Sequence, residues 1–198
     1  MGRPKNTAAR RAQIVAALVA VMSERGYERA SIAEVARRAG LTSGLVHYHF
    51  KSKQEILLQA VATLEREQAE RIDARLLGVD DPRERLLTCV DAYLARDAAA
   101  EPAAVACWVA ISAEAIRQPE VGAAFQAVLV QTLERLSDLI GAARRAEGQP
   151  ARGARSAAAA LLAAIQGYYV VAAAAPDLVP SGSAAPNVRR LAEALLHG

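Results

Sequence analysis

Aromatic residues are scarce in this chain of 198: one Trp, two Phe and five Tyr make up 4%, although 53% of residues are hydrophobic. With frequent alanine runs as well, that composition suits helices packed closely together. Cysteine is rarer still. Cys89 and Cys107 lack the spacing of a metal or redox pair, and a disulfide framework would need more of them, so both are expected reduced and buried. No stretch alternates polar with apolar at period two, which leaves an all-α fold of about nine helices. No apolar run of about 18 residues is free of both charge and glycine, and no basic leader precedes an apolar run and cleavage site. Nothing therefore directs the chain to a membrane or to export, and a cytoplasmic location is expected. A Ser-His-Asp set, a Gly-rich phosphate loop and paired-carboxylate spacing are all missing, so neither enzymatic chemistry nor a cofactor is expected.

What is present is a charge asymmetry. Residues 1–53 carry ten Lys/Arg against three acids, net +7, and the remainder carries fourteen against eighteen, net −4. A basic head on an acidic body is suited to a polyanion. Within that head, Ser31 to Lys53 reads as two short helices joined by a tight turn. Ser31 and Glu34 have capping-box spacing, in which hydroxyl and carboxylate each satisfy a free N–H. Ile32, Val35, Ala36 and Ala39 then form an apolar stripe, with Arg37 and Arg38 turned away from it. Gly40 ends this helix, because a residue without Cβ takes the positive φ that the turn demands. Thr42 or Ser43 caps the next helix, which sets Val46 and Phe50 inward and Gly44, Leu45, His47 and Tyr48 outward. A bare glycine among polar aromatics suits a helix pressed against a nucleic-acid backbone. Ser52 caps a third helix between Lys51 and Lys53, two cations opposed to the helix dipole that a phosphate would relieve.

These residues resemble the DNA-binding module of the tetracycline-repressor (TetR) family. Its pattern is met by Ser31, Ile32, Val35, Ala36, Ala39, Gly40, Thr42, Gly44, His49, Phe50 and Lys53, and extends upstream through Arg11, Ile14 and Gly26. His47 stands where that family usually has Tyr, with Tyr48 next in line. The resemblance implies a DNA-binding domain over residues 1–53, with the helix-turn-helix at about 31–50, and a helical effector-binding and dimerisation domain over 54–198. It implies that His49 meets a phosphate, while His47, Leu45 and Tyr48 would face base edges and thymine methyls. Arg3 and Lys5 flank Pro4 in an extended basic arm that could reach phosphate or the minor groove, or remain a solvated tail.

After the arm, Thr7 to Arg25 reads as a helix with Ile14, Leu18, Val21 and Met22 on one face. Ile56, Leu57, Ala60, Val61 and Leu64 begin one long helix toward Leu76, broken by Gly78, Asp80, Asp81 and Pro82. Two stripes follow: Leu86, Leu87, Val90, Tyr93 and Leu94, then Val105, Trp108, Val109, Ser112 and Ile116. Pro119 opens a longer helix carrying Val121, Phe125, Val128, Leu129, Leu133, Leu136 and Ile140. Ser156 to Ala175 is apolar nearly all round and must be covered on every side, as a self-paired surface would do. A last helix offers Val188, Leu191, Ala192 and Leu195. In the resembling family the last two helices form the dimer interface, which points to Leu161, Ile165, Tyr168, Leu191 and Leu195 here. Such a homodimer would address half-sites about 34–36 Å apart on double-stranded operator DNA, or a multiple of that.

The family's effector cavity in the second half suggests Tyr93, Cys107, Trp108, Ile111, Ser112, Phe125, Gln166 and Tyr169 as lining for a small molecule. The run from Cys107 to Val121 is weakly similar to betaine-operon repressors, which answer to choline, and Trp108 could meet a quaternary ammonium by cation–π attraction. Glu114 lies about 240° round the helix from Trp108, so these two cannot form one box. His47 and His49 point roughly oppositely and cannot share a metal ion. The expected function is a ligand-responsive, DNA-binding repressor. Its rivals are an all-α enzyme or carrier using the same cavity, and a constitutive DNA-binding protein without a ligand.

Overall fold

The computed structural model describes residues 3–94, 102–180 and 182–197. Among them are nine α-helices: α1 Arg3–Arg25, α2 Ile32–Ala39, α3 Ser43–His49, α4 Lys53–Leu76, α5 Pro82–Leu94, α6 Pro102–Ala115, α7 Pro119–Ala146, α8 Ala154–Ala174 and α9 Ala184–Leu196. One 3₁₀ turn, Pro176–Leu178, precedes α9, and no strand occurs among these residues. Pro82, Pro102 and Pro119 each open a helix, where the missing N–H has no intrahelical partner to lose. α1 begins earlier than expected. Arg3 to Asn6 form its first turns rather than an extended arm, since a proline in the first turn leaves the helix intact.

Contacts divide the chain into two compact units. The first comprises residues 1–65 and 102–125, the second residues 66–101 and 126–198. In the first, Ile14, Leu18, Val21 and Met22 of α1 are buried, as are Val35, Ala36 and Ala39 of α2 and Val46 of α3. α1 packs against α2, α3 and α6, and Ile56, Leu57, Ala60 and Val61 at the start of α4 complete this core. Gly26, at φ 75°, stops α1 and returns its N–H to Met22 O at 2.8 Å. The buried face of α6 is Cys107, Trp108, Ile111 and Glu114, not the expected stripe. Val105, Val109 and Ser112 are half-buried and Ile116, beyond the helix end, is 88% exposed. The inner face is thus rotated by about one residue, toward α1, where the Cys107 thiol donates to Val19 O at 3.2 Å.

The second unit packs α5 against α8 and α9, and α8 against α9. The expected stripe of α5, Leu86, Leu87, Val90, Tyr93 and Leu94, is buried throughout. Asp81 caps α5 by accepting the Glu84 N–H at 2.8 Å. Ion pairs Arg83–Glu193 (3.0 Å) and Arg189–Asp91 (2.5 Å) link α5 to α9. Arg144, buried near the end of α7, donates to the carbonyls of Arg152 and Leu195 at 2.5 and 2.7 Å, fixing the loop before α8 and the end of α9. Among the described residues, α8 is the one helix long and apolar enough to cross a membrane. Only one of its faces is packed: Ala157, Ala158, Leu161, Ile165 and Tyr169 are buried, whereas Ala163, Gly167, Val170 and Val171 are exposed.

Candidate nucleic-acid interface

Two capped helices and a left-handed corner build the site. Ser31 Oγ accepts the Glu34 N–H at 3.2 Å, as its spacing predicts. The reciprocal half of the box does not form. Glu34 instead takes Arg37 Nη2 at 2.7 Å and lies 3.5 Å from Arg25, and the Ser31 N–H goes to Arg29 O at 3.1 Å. Hydrogen bonding from Arg37 holds the Glu34 carboxyl below its ordinary range. Gly40 turns the chain at φ 64°, and the Leu41 N–H reaches back to Ala36 O at 2.9 Å, which closes the C-terminus of α2. Thr42, not Ser43, caps α3, its hydroxyl accepting the Leu45 N–H at 3.2 Å.

α3 is seven residues long and divides sharply. Val46 and the following Phe50 are fully buried, while Ser43, Gly44, His47 and Tyr48 are exposed, Tyr48 by 76%. Leu45 and His49 sit at the margins, and the Tyr48 ring meets His49 edge-on at 5.1 Å. A Cβ placed on Gly44 would touch nothing within 4 Å, so the protein's own packing does not require glycine there. Val46 and Phe50 inward and Gly44, His47 and Tyr48 outward are as read from the sequence, whereas Leu45, expected outward, is half-buried.

Arg11 anchors the end of α3. It donates to His49 O, lies 3.9 Å over the Phe50 ring and pairs with Glu55 at 3.3 Å. Sequence reasoning noticed Arg11 only as part of the pattern and missed Glu55 altogether, although Ser52 and Glu55 repeat the spacing of Ser31 and Glu34. Ser52 Oγ accepts the Glu55 N–H at 3.1 Å, and the Glu55 carboxylate accepts the Lys51 N–H at 2.8 Å. That bond and Arg11 hold the Glu55 carboxyl below its usual range. The start of α4 therefore already has its anion in Glu55 and, contrary to expectation, the two lysines there do not need a phosphate to relieve them. Lys51 is exposed. Lys53, expected to reach a phosphate, instead turns inward: its ammonium donates to Tyr27 O at 2.9 Å and lies 4.1 Å from the Tyr27 ring centroid. Arg3 and Lys5 lie in the first turn of α1.

The eight expected effector residues fall in both units, five in the first and three in the second. In the first, the Trp108 and Phe125 rings are 6.1 Å apart with Cys107 and Ile111 on the same buried face of α6, and the Ser112 hydroxyl is committed to Val109 O at 2.8 Å. In the second, the Tyr169 hydroxyl donates to Tyr93 O at 2.7 Å and accepts from Gln68 at 3.2 Å, with Gln166 half-buried. Burial raises the Tyr93 hydroxyl to about 12 and the Tyr169 hydroxyl above its ordinary range. Among the described residues, no group of three or more His, Cys, Asp and Glu is arranged to hold a metal. Of the expected dimer residues, Leu161 and Ile165 belong to the protomer's own core, Tyr168 accepts a hydrogen bond from Asn187 at 3.0 Å, Leu195 is half-buried and Leu191 is exposed. The open apolar face is instead Ala163, Gly167, Val170 and Val171 of α8, with Leu191 of α9.

A capped pair of helices joined at a left-handed glycine, the second with a bare polar face, defines a helix-turn-helix DNA-binding regulator. Residues 14–60 match the profile of bacterial regulatory proteins of the tetR family, and residues 82–197 that of the C-terminal part of BetI-type transcriptional repressors. The chain belongs to the TetR family, with a BetI-type second half. It is 30% identical to the transcriptional regulator BetI of Cronobacter sakazakii over 166 residues, 83% of this chain and 79% of that one. With BetI of Agrobacterium fabrum it shares 32% over 149 residues, 72% of each. The match to Yersinia pestis BetI, 32% over 114 residues, spans only 57% of either chain. A Rhodococcus transcriptional regulator superposes with TM-score 0.83 at 28% identity, covering 95% of this chain and 96% of that one. A Saccharomonospora viridis protein crystallised in complex with choline shares the fold, with TM-score 0.79 at 22% identity over 94% and 95% of the two chains. These relatives are transcriptional regulators, not enzymes.

Proposed function

We propose that the protein is a repressor that binds a two-fold related operator as a homodimer and releases it when a small molecule binds the second domain. The observation that carries this reading is the outer face of α3, where Gly44, His47 and Tyr48 are exposed above a fully buried Val46 and Phe50. Residues 1–53 bind DNA and residues 54–198 receive the effector and the partner subunit. Thr42, Ser43, Gly44, Leu45, His47 and Tyr48 face the groove, with Ser31, His49 and Lys51 at the phosphates and Arg3 and Lys5 leading in. Pairing through the open face of α8 and Leu191 covers an apolar surface that water would otherwise wet, and it needs no membrane. A cytoplasmic location fits this reading.

Release requires that the effector favour one of two shapes of the dimer. Choline is the first compound to test, because the second half is BetI-type and Trp108 and Phe125 offer aromatic faces to an organic cation. The experiment is a mobility-shift titration on the DNA upstream of the protein's own gene at stated salt, with and without choline. A shift that His47→Ala weakens or redirects supports the reading. Folded protein that retards no neighbouring promoter at low salt overturns it, and a shift indifferent to choline removes choline alone.

A further inference from the structure

Glu114, on α6, is 7% exposed and is the only buried acidic residue among those described. A carboxylate in that position is costly unless its charge is used. It accepts Gln118 Nε2 at 2.7 Å, and Gln118 in turn hydrogen-bonds the Tyr27 hydroxyl. Arg117 stands 3.9 Å away, drawn outward by its pair with exposed Glu28 at 2.5 Å. Tyr27 also meets Lys53, whose ammonium donates to the carbonyls of Tyr27 (2.9 Å) and Glu28 (3.5 Å) and lies 4.1 Å from the ring centroid. The charge of Glu114 acts on both Tyr27 and Lys53, and partial burial of the ammonium lowers its proton affinity. Nearby, Gln54 donates to Glu120 at 3.1 Å, which links α4 to the first turn of α7.

Lys53 is the first residue of α4, three positions after the Phe50 that seats α3. We infer that Glu114 is a positioning residue for DNA binding: through Gln118, Tyr27 and Lys53 it holds the start of α4, and with it the end of α3, while Lys53 acts as an internal clamp rather than a phosphate contact. This rests on the reading of α3 as the DNA-binding helix. Lysine suits such a clamp because its compact charge satisfies two carbonyls and a ring face at once.

The test is a double-mutant cycle in the full chain, using Glu114→Gln, which keeps shape and hydrogen bonding but removes charge, Lys53→Met, and both together. Operator affinity is measured across a salt series, and unfolding free energy by denaturant. Glu114→Gln should lower affinity about ten-fold on every sequence, Lys53→Met should do likewise, and the double variant should be little weaker than either single one, since both act through the same clamp. Lys53→Met alone should leave the salt slope unchanged. A slope reduced by about 0.9 would make Lys53 a phosphate contact and overturn the inference. Additive losses in the cycle would do the same. Should the wild-type chain bind no duplex, the regulator reading fails by itself, and the cycle read in unfolding free energy still decides the pair: coupling keeps the clamp, additivity ends it.

Discussion

A methyl group at position 44 would touch no atom of the protein, and alanine is a better helix former than glycine. Gly44→Ala should therefore leave thermal stability unchanged or raise it by up to about 1 kcal/mol, while DNA affinity falls, because the backbone could no longer approach the duplex. Calorimetry beside a binding titration checks this, and equal losses in both would show that the glycine serves the fold. Phe50 makes the opposite demand. It is 2% exposed beneath Arg11, and Phe50→Ala should cost about 3–5 kcal/mol in denaturant unfolding. Burial pushes both cysteine thiols up to about 12, so neither should react with a thiol reagent at pH 8 until the protein unfolds. Rapid labelling of the native protein would show that the core opens.

Between elements, the corner where α6 meets α7 leaves the least room for a side chain at any of the described glycines. A Cβ on Gly122 would come within 2.8 Å of the Ala115 carbonyl oxygen, which is backbone and cannot swing aside. Gly122→Ala should destabilise the protein by about 1–3 kcal/mol and, because this corner carries Gln118, weaken operator binding beyond what stability alone explains. The short helices α2 and α3 depend on their caps. Thr42→Ala should cost about 1 kcal/mol and loosen α3 in particular, seen as faster amide exchange at Leu45 and Val46. Gly40, Thr42 and the apolar spacings made these elements legible in the chain, because caps and periodicity are local. Lys53 was not: which way a lysine turns depends on carbonyls at Tyr27 and Glu28, twenty-five residues upstream and more.

For the molecule as a whole, the proposed dimer rests on the open face of α8. Val170→Glu with Val171→Glu places charge on that face without touching Leu161 or Ile165, so the variant should fold and sediment as a monomer. Its operator affinity should drop by orders of magnitude, since one reading helix would bind without its twin. A monomeric wild type would end the dimer reading, and an unchanged dimer in the double variant would place the interface elsewhere.

The amino-acid sequence by itself determined the all-α class, the capped pair of short helices, the inward Val46 and Phe50 and the basic head, because each depends on spacing within a few residues or on composition. Tertiary structure decided which face of α6 is inner, that Leu161 and Ile165 belong to the protomer core, and that Glu55, rather than an outside anion, serves the start of α4. It also decided that Lys53 faces inward toward Tyr27. Each of these turns on partners distant in the chain, whose meeting is settled by packing and not by any local preference.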